Sequence, residues 1–265
     1  MRRLLLTLQK KRCPFGCTYC FASFTQYDRP LTLEEVEEHP AVLKDVDVVY
    51  PSCDIDLFAL KDPIGVLERV SRLERSVSVS TKAKLSEEVV LCLANVARSI
   101  EEMGHVLKIG VSFSTKLLIE SIEPRTAPYR DRMENLRLLK THGIWSCLVL
   151  KPILIDVPAE EYCEIVTDAS LLTSSVLVGD EYLDADGEHR RASSAIEPRL
   201  SNRQVAWAAR QPTWPVRMAE KHVHAIEACA EDLGMCCFAS DLDLMESLIP
   251  RRITPKEAHD YEGWC

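Results

Sequence analysis

Apolar runs of strand length alternate along this chain with stretches whose apolar residues recur at helical spacing. The strand-length runs are Arg3–Gln9, Asp45–Ser52, Ser76–Thr81, Leu107–Ser114, Ile144–Ile153 and Ser175–Gly179. Between them, Thr32–His39, Asp62–Glu74, Ser86–Met103, Pro128–His142 and Ala159–Leu172 read as amphipathic helices. Ser86 ahead of Glu87 and Glu88 marks a helix start, and Gly104 and Gly143 stand just past two helix ends. Strands that alternate with helices predict βα units and a parallel sheet. Polar residues gather where such strands end, at Pro51–Asp56, Ser80–Ala83, Ser112–Lys116, Lys151–Asp156 and Gly179–Glu181. In α/β sheets the carboxyl ends of the strands are where ligands bind.

Directly after the first apolar run comes Cys13-Pro-Phe-Gly-Cys17-Thr-Tyr-Cys20, a C-x3-C-x2-C array. Thiolates are the usual ligands of iron–sulfur clusters, and a [4Fe–4S] cubane has four irons to ligate. Three thiolates leave one iron open to a small molecule. Gly16 allows the tight turn and Tyr19 puts an aromatic beside the last thiol. A zinc knuckle is the plainer alternative, but zinc wants four ligands, and no Cys or His pair nearby completes the set.

The array resembles the signature of the radical S-adenosylmethionine superfamily, with its aromatic residue before the third cysteine. That resemblance implies a partial (βα)6 barrel of the TIM-like α/β class, with the cluster loop after the first strand. It also implies a [4Fe–4S] cluster held by Cys13, Cys17 and Cys20, whose open iron chelates S-adenosylmethionine. A one-electron reductant such as flavodoxin or ferredoxin would drive cleavage to a 5′-deoxyadenosyl radical. Ser112-Phe-Ser-Thr, then Glu123-Pro-Arg-Thr-Ala-Pro128, then Arg132 in the next helix resemble the spore photoproduct lyase-like branch. Ser80-Thr81-Lys82 and the later Gly143…Lys151-Pro-Ile run fit the same branch over residues 3–180.

Carried over by position, the resemblance implies that Lys82 and Ser112 contact the methionine end of the cofactor. Ser114 and Tyr19 join the cofactor-binding group, and Cys53 takes the place of a cysteine that returns hydrogen to a product radical. The bland reading of Cys53 is core packing. Two departures stand out: no counterpart of the lyase's preceding N-terminal region lies ahead of Cys13, and no Gly-Gly-Glu element follows the second strand. Ser52 or Asp54 is then expected to contact the cofactor's amino group, since an anionic side chain suits a cationic ammonium.

With 265 residues, 46% hydrophobic and 28% charged, the chain has the composition of an ordinary globular protein. No apolar run reaches the roughly 18–20 residues that span a bilayer, and Leu4–Leu8 is read as a strand instead of a leader. Eleven cysteines in a chain of this size, with an oxygen-sensitive cluster implied, point to a reducing cytoplasmic setting over a disulfide framework. The net charge of −9 weighs against a nonspecific grip on nucleic acid. Residues 1–181 are expected to form the barrel core and 182–212 a loop or insertion over its mouth. Residues 213–265 are expected to give a helix over Pro215–Leu233, a strand over Met235–Ala239, a helix over Asp241–Ile249 and a docked tail. Cys229, Cys236, Cys237 and Cys265 match no ligand array, His222 and His224 do not share a helix face, and Trp207, Trp214 and Trp264 read as packing or lid residues.

These readings favour hydrogen abstraction from a small organic molecule such as a nucleotide or natural-product intermediate. The alternative is radical modification or repair of DNA, tRNA or peptide, for which Arg190, Arg191, Arg199, Arg203, Arg210 and Arg217 would supply a basic face. A noncatalytic iron–sulfur module is the third reading.

Overall fold

In the computed structural model, residues 1–8, 13–23, 30–183, 199–205 and 213–249 are described. The expected alternation is present. Strand β1 (Arg3–Thr7) leads to β2 (Leu31–Thr32), α1 (Leu33–Glu38) and β3 (Val48–Tyr50). Then follow α2 (Pro63–Ser71), β4 (Ser76–Thr81), α3 (Glu87–Glu102), β5 (Leu107–Ser112), α4 (Ile119–Ile122), α5 (Tyr129–Thr141), β6 (Trp145–Leu150), α6 (Ala159–Ala169) and β7 (Ser175–Val178). The Ser86 side chain accepts from the Val89 amide at the start of α3, and α3 and α5 stop just short of Gly104 and Gly143.

The strands form one parallel eight-stranded sheet in the order β11-β7-β6-β5-β4-β3-β1-β2, where β11 is Cys236–Phe238. This is the partial-barrel arrangement of an α/β protein, extended at both edges. Thr32, the first residue of the helix expected over Thr32–His39, instead pairs with Thr7 of β1, and Leu31 pairs with Leu6. Thr32 then caps α1 with a reciprocal bond to Glu35.

The two faces of the sheet carry different chemistry. β4 reads Ser-Val-Ser-Val-Ser-Thr, so its residues alternate between faces. Val77 and Val79 join Ile109, Val111, Leu148 and the inner stripes of α3, α5 and α6 in the main core. Ser78, on the other face, sits in register with Lys108 of β5. That concave face is filled from below by α8 (Asp241–Leu248): Leu244 packs on Cys147, Val149 and Leu177, while Met245 packs on Val48 and Val106. At the N-terminus of α8, Asp241 accepts from the Lys108 ammonium at 2.6 Å and from the Ser78 hydroxyl at 2.9 Å. Burial opposes both charges, yet Lys108 holds Asp241 below the ordinary carboxylate range and Asp241 holds Lys108 above the ordinary lysine range.

The chain beyond residue 181 departs from expectation. Of the expected loop or insertion over 182–212, residues 184–198 and 206–212 lie outside the described residues; β8 (Glu181–Tyr182), β9 (Leu200–Gln204) and β10 (Thr213–Arg217) form an antiparallel sheet in the order β8-β10-β9. The helix expected from Pro215 begins later, as α7 (Glu220–Asp232), because Pro215, Val216 and Arg217 pair with Asn202, Ser201 and Leu200. Pro215 lies on the central strand of that sheet, between Trp214 and Val216, both fully buried. The expected tail at 250–265 lies outside the described residues, together with Trp207, Trp264, Cys265, Arg190, Arg191 and Arg210.

Replacing Asp241 by Ala should destabilise the protein by about 3–5 kcal/mol in chemical denaturation, because it strands a fully buried ammonium. Lys108→Met combined with Asp241→Leu should cost much less. Since the folded pKa of Asp241 is depressed, the pair's contribution is present above the unfolded value of 3.8 and lost as the pH falls through the folded one.

Candidate functional site

The array Cys13–Cys20 follows β1 at the carboxyl edge of the sheet, as the pattern of strands requires. The three cysteines are half-buried free thiols. The loop turns at Gly16, with φ +63°, where a Cβ would collide with the Arg125 guanidinium. The Nε of Arg125 donates to the Pro14 carbonyl, and the Thr18 amide donates to Ile122 O at 3.0 Å. The Glu-Pro-Arg stretch after β5 therefore clamps the cysteine loop from the opposite strand.

Beneath the loop lies a network of buried polar groups. The Tyr19 hydroxyl donates to Glu123 Oε1, and the Ser114 hydroxyl donates to the Tyr19 oxygen at 2.9 Å. Arg132, fully buried, places its Nη1 2.7 Å from Glu123 Oε2 and 2.8 Å from Ser112 O. Its other nitrogens donate to Ala127 O and the Thr126 hydroxyl. Lys82 reaches across from the end of β4, donating to the Ser112 hydroxyl, with its Nζ 3.8 Å from Glu123 Oε1 and 5.8 Å from the centre of the Tyr19 ring. Burial, with Glu123 beside it, pushes the Tyr19 pKa up, so the phenol stays a donor.

The second wall comes from the turn after β3. Asp56 accepts from the Lys82 amide at 2.7 Å, the Thr81 hydroxyl and the Phe58 amide, and so fixes the end of β4. Burial raises its pKa despite these donors. Asp54 Oδ2 accepts from the Thr7 hydroxyl at 2.8 Å. Cys53 Sγ donates to Leu6 O at 3.2 Å, so the thiol is tethered at the mouth of β1 beside the cysteine loop. Ser52 is half-buried in the same turn.

Of the residues picked from the sequence, Tyr19, Lys82, Ser112 and Ser114 converge in one network, and Cys53 and Asp54 flank it on β1. Ser114 is fully buried and acts through Tyr19. Glu123, Arg132 and Asp56 carry the network; the sequence places Glu123 and Arg132 in the resemblance and Asp56 at a polar strand end, without a role for any of them. The signal for Glu123 and Arg132 was a carboxylate and an arginine bracketing a strand end, but only their shared burial reveals the pair. His222 lies with Nε2 2.9 Å from Val157 O and serves packing. Cys229 lies on Cys163, with its Sγ 3.6 Å from the Cys163 carbonyl, while Cys236 is exposed.

The cysteine loop fits a cubane. Burial pushes the Cys17 thiol up to about 11 and raises Cys20, and each is disfavoured further by a neighbouring thiol in the array. Half-buried sulfurs need cationic charge to ionise, which the irons of a cluster supply. Each thiolate of a cubane takes a different iron, so the sulfurs need not converge on one point as they would for a single metal ion. Among the described residues no group of three or more His, Cys, Asp or Glu side chains gathers around such a point. The antiparallel sheet backs the loop: Phe21, next after Cys20, packs edge-on against Tyr182 and Trp214 with centroids 6.2 and 6.3 Å away.

Comparison with known proteins agrees with this geometry. Residues 10–169 match the model of the radical SAM superfamily, more than half of the chain. Spore photoproduct lyase complexed with dinucleoside spore photoproduct superposes with a TM-score of 0.61 at 12% identity, over 86% of this chain and 74% of that one. A variant of that lyase with bound AdoMet and dinucleoside spore photoproduct gives 0.60 at 12%, over 89% and 82%. SuiB of Streptococcus suis bound to S-adenosylmethionine gives 0.51 at 14%, over 71% and 40%. No curated protein sequence matches the chain. At these identities the solved structures speak for the fold, and the family match speaks for the chemistry: this chain belongs to the radical S-adenosylmethionine superfamily, enzymes that work with a [4Fe–4S] cluster and S-adenosylmethionine.

Proposed function

We propose that this enzyme turns radical chemistry on a small organic molecule held above the sheet, between the cysteine loop and the ends of β4 to β7. The observation that carries this reading is the filling of the concave face by α8, whose Leu244 and Met245 occupy its lower layers. The space left for a substrate is the upper layer, where Lys82 and Ser112 face the cysteine loop. The arginines that a nucleic acid or peptide would need are committed elsewhere among the described residues: Arg199 to Glu220, Arg203 to Asp180 and Arg217 to Glu181.

Cys13, Cys17 and Cys20 would hold the cluster. When bound, it and S-adenosylmethionine together supply one-electron cleavage of the sulfonium and a 5′-deoxyadenosyl radical that abstracts hydrogen. Lys82 offers an ammonium to the carboxylate of the cofactor's methionine, pre-aimed by Ser112 and Glu123. Tyr19 and Ser114 hold the loop's last thiol against this wall. Asp54 and Ser52 stand on the side of β1, where an anionic or hydroxyl oxygen suits the methionine ammonium. Cys53 returns a hydrogen atom to the product radical: its S–H bond breaks, a C–H bond forms, and the thiyl sulfur regains its hydrogen from an electron of the external reductant and a solvent proton. Burial of the site keeps water and stray hydrogen donors from the radical.

The reading is tested by mixing anaerobically reduced, cluster-loaded protein with S-adenosylmethionine and measuring 5′-deoxyadenosine. Its formation, with deuterium carried into it from a labelled small molecule, supports the reading. Absence of 5′-deoxyadenosine, or label taken only from an oligonucleotide or peptide, would overturn it. Cys13→Ala, Cys17→Ala and Cys20→Ala should each lose iron and the brown absorbance together with cofactor cleavage. Lys82→Ala should weaken S-adenosylmethionine binding by roughly ten- to a hundredfold in equilibrium titration, the worth of a charge-assisted contact. Cys53→Ala should keep cofactor cleavage but give altered or stalled product by mass spectrometry; clean product from that variant would make Cys53 a packing residue.

A further inference from the structure

The concave face of the sheet carries more positive charge than its carboxylate neutralises. Lys108 and Lys151 both turn toward it, and Asp241 is the carboxylate that acts on both. Asp241 is already committed, one oxygen to the Lys108 ammonium at 2.6 Å and the other to the Ser78 hydroxyl at 2.9 Å. Lys151 is therefore the surplus cation.

Its placement is specific. Lys151 directly follows β6 at the carboxyl edge of the sheet, two residues beyond Val149, the register partner of Ser112 on β5. Its aliphatic chain lies across Gly179, just past β7, where a Cβ would come 2.5 Å from Lys151 Cε and 2.8 Å from Cγ. A side chain at residue 179 would push the lysine out; Gly179 keeps it folded over the sheet. The backbone there is tied down, with the Ile153 amide donating to Gly179 O at 2.8 Å and the Gly179 amide to Leu150 O at 3.2 Å. The residue is half-buried, and among the described residues no carboxylate stands within ion-pair distance of its ammonium. The charged and titratable groups that face it are Asp241 from α8, Lys108 from β5, Cys147 from β6 and Arg3 from β1. Burial outweighs the pull of Asp241 and lowers the lysine to about 8, which leaves it mostly protonated at neutral pH. A cation held in such a place without its own counter-ion is costly unless an anion comes to meet it.

We propose that Lys151 is the anion anchor of the substrate pocket, so that the molecule presented to the radical carries a carboxylate or phosphate group seated over Gly179. This rests on the radical reading above and narrows its substrate class to anionic small molecules.

The test is competitive acylation of the cluster-loaded protein under anaerobic conditions, with acetylation of each lysine followed by peptide mass spectrometry. Lys151 should become reactive with a midpoint at about 8, ahead of the exposed lysines. Inorganic phosphate or succinate should slow its acetylation roughly tenfold once present at roughly ten times the Kd. No protection by either anion would overturn the proposal. Protection by S-adenosylmethionine alone would also overturn it, making Lys151 a cofactor contact. Neither arm depends on turnover, so failure of 5′-deoxyadenosine formation would strike the radical reading and leave this result standing on its own. A second readout uses Lys151→Met: phosphate should raise the Tm of the wild type and leave the variant unmoved. Because the folded pKa lies below the unfolded 10.5, the charged lysine costs stability fully below about 8, and the cost fades as the pH rises toward 10.5. The variant should therefore have the higher Tm at neutral pH, and the gain should vanish in alkali.

Discussion

The site depends on one buried carboxylate. Glu123 is fully buried, and such a charge persists only if partners replace its lost hydration. Those partners come from three separate pieces of chain: Tyr19 from the cysteine loop, Lys82 from the end of β4, and Arg132 from α5, whose guanidinium also donates to the Ser112 carbonyl on β5. Satisfying Glu123 therefore fixes the cysteine loop relative to two strand ends. The neighbouring Arg125 fastens the same loop through Pro14. A flexible loop with three thiols becomes a shaped ligand set because the stretch after β5 reaches back over it.

The same logic recurs one layer lower. Lys108, Asp241 and Ser78 form a second buried ionic group, which docks α8 into the concave face. The two groups have different consequences. The upper one is built from residues at strand ends and leaves an ammonium, Lys82, half-buried toward the cysteine loop. The lower one is closed, and its surplus charge resides on Lys151, which stands between the two.

The antiparallel sheet β8-β10-β9 supports this arrangement from outside. Its Trp214 and Tyr182 meet Phe21, so the segment after the barrel strands braces the end of the cysteine array. Among the described residues, its Arg203 and Arg217 pair with Asp180 and Glu181.

Much of this was legible in the chain. The alternation of apolar runs determined the parallel α/β sheet, since period-two and helical spacings dictate strand and helix locally. The C-x3-C-x2-C array determined the cluster chemistry, since thiolate count and spacing are local properties. Other features are non-local. Glu123 and Arg132 are nine residues apart in sequence and look like surface charges until both are seen to be buried. Asp241 and Lys108 come from opposite halves of the chain. The strand at Leu200–Gln204 is polar and exposed throughout, so only its pairing with β10 makes it a strand. Lys151 read as one more polar residue at a strand end, and its lack of an ion-pair partner among the described residues exists only once the sheet closes and Asp241 is spent on Lys108. Sequence determined which atoms do the chemistry because that depends on residue type and spacing. Tertiary structure decided which charges are paired, because pairing depends on burial and on partners distant in the chain.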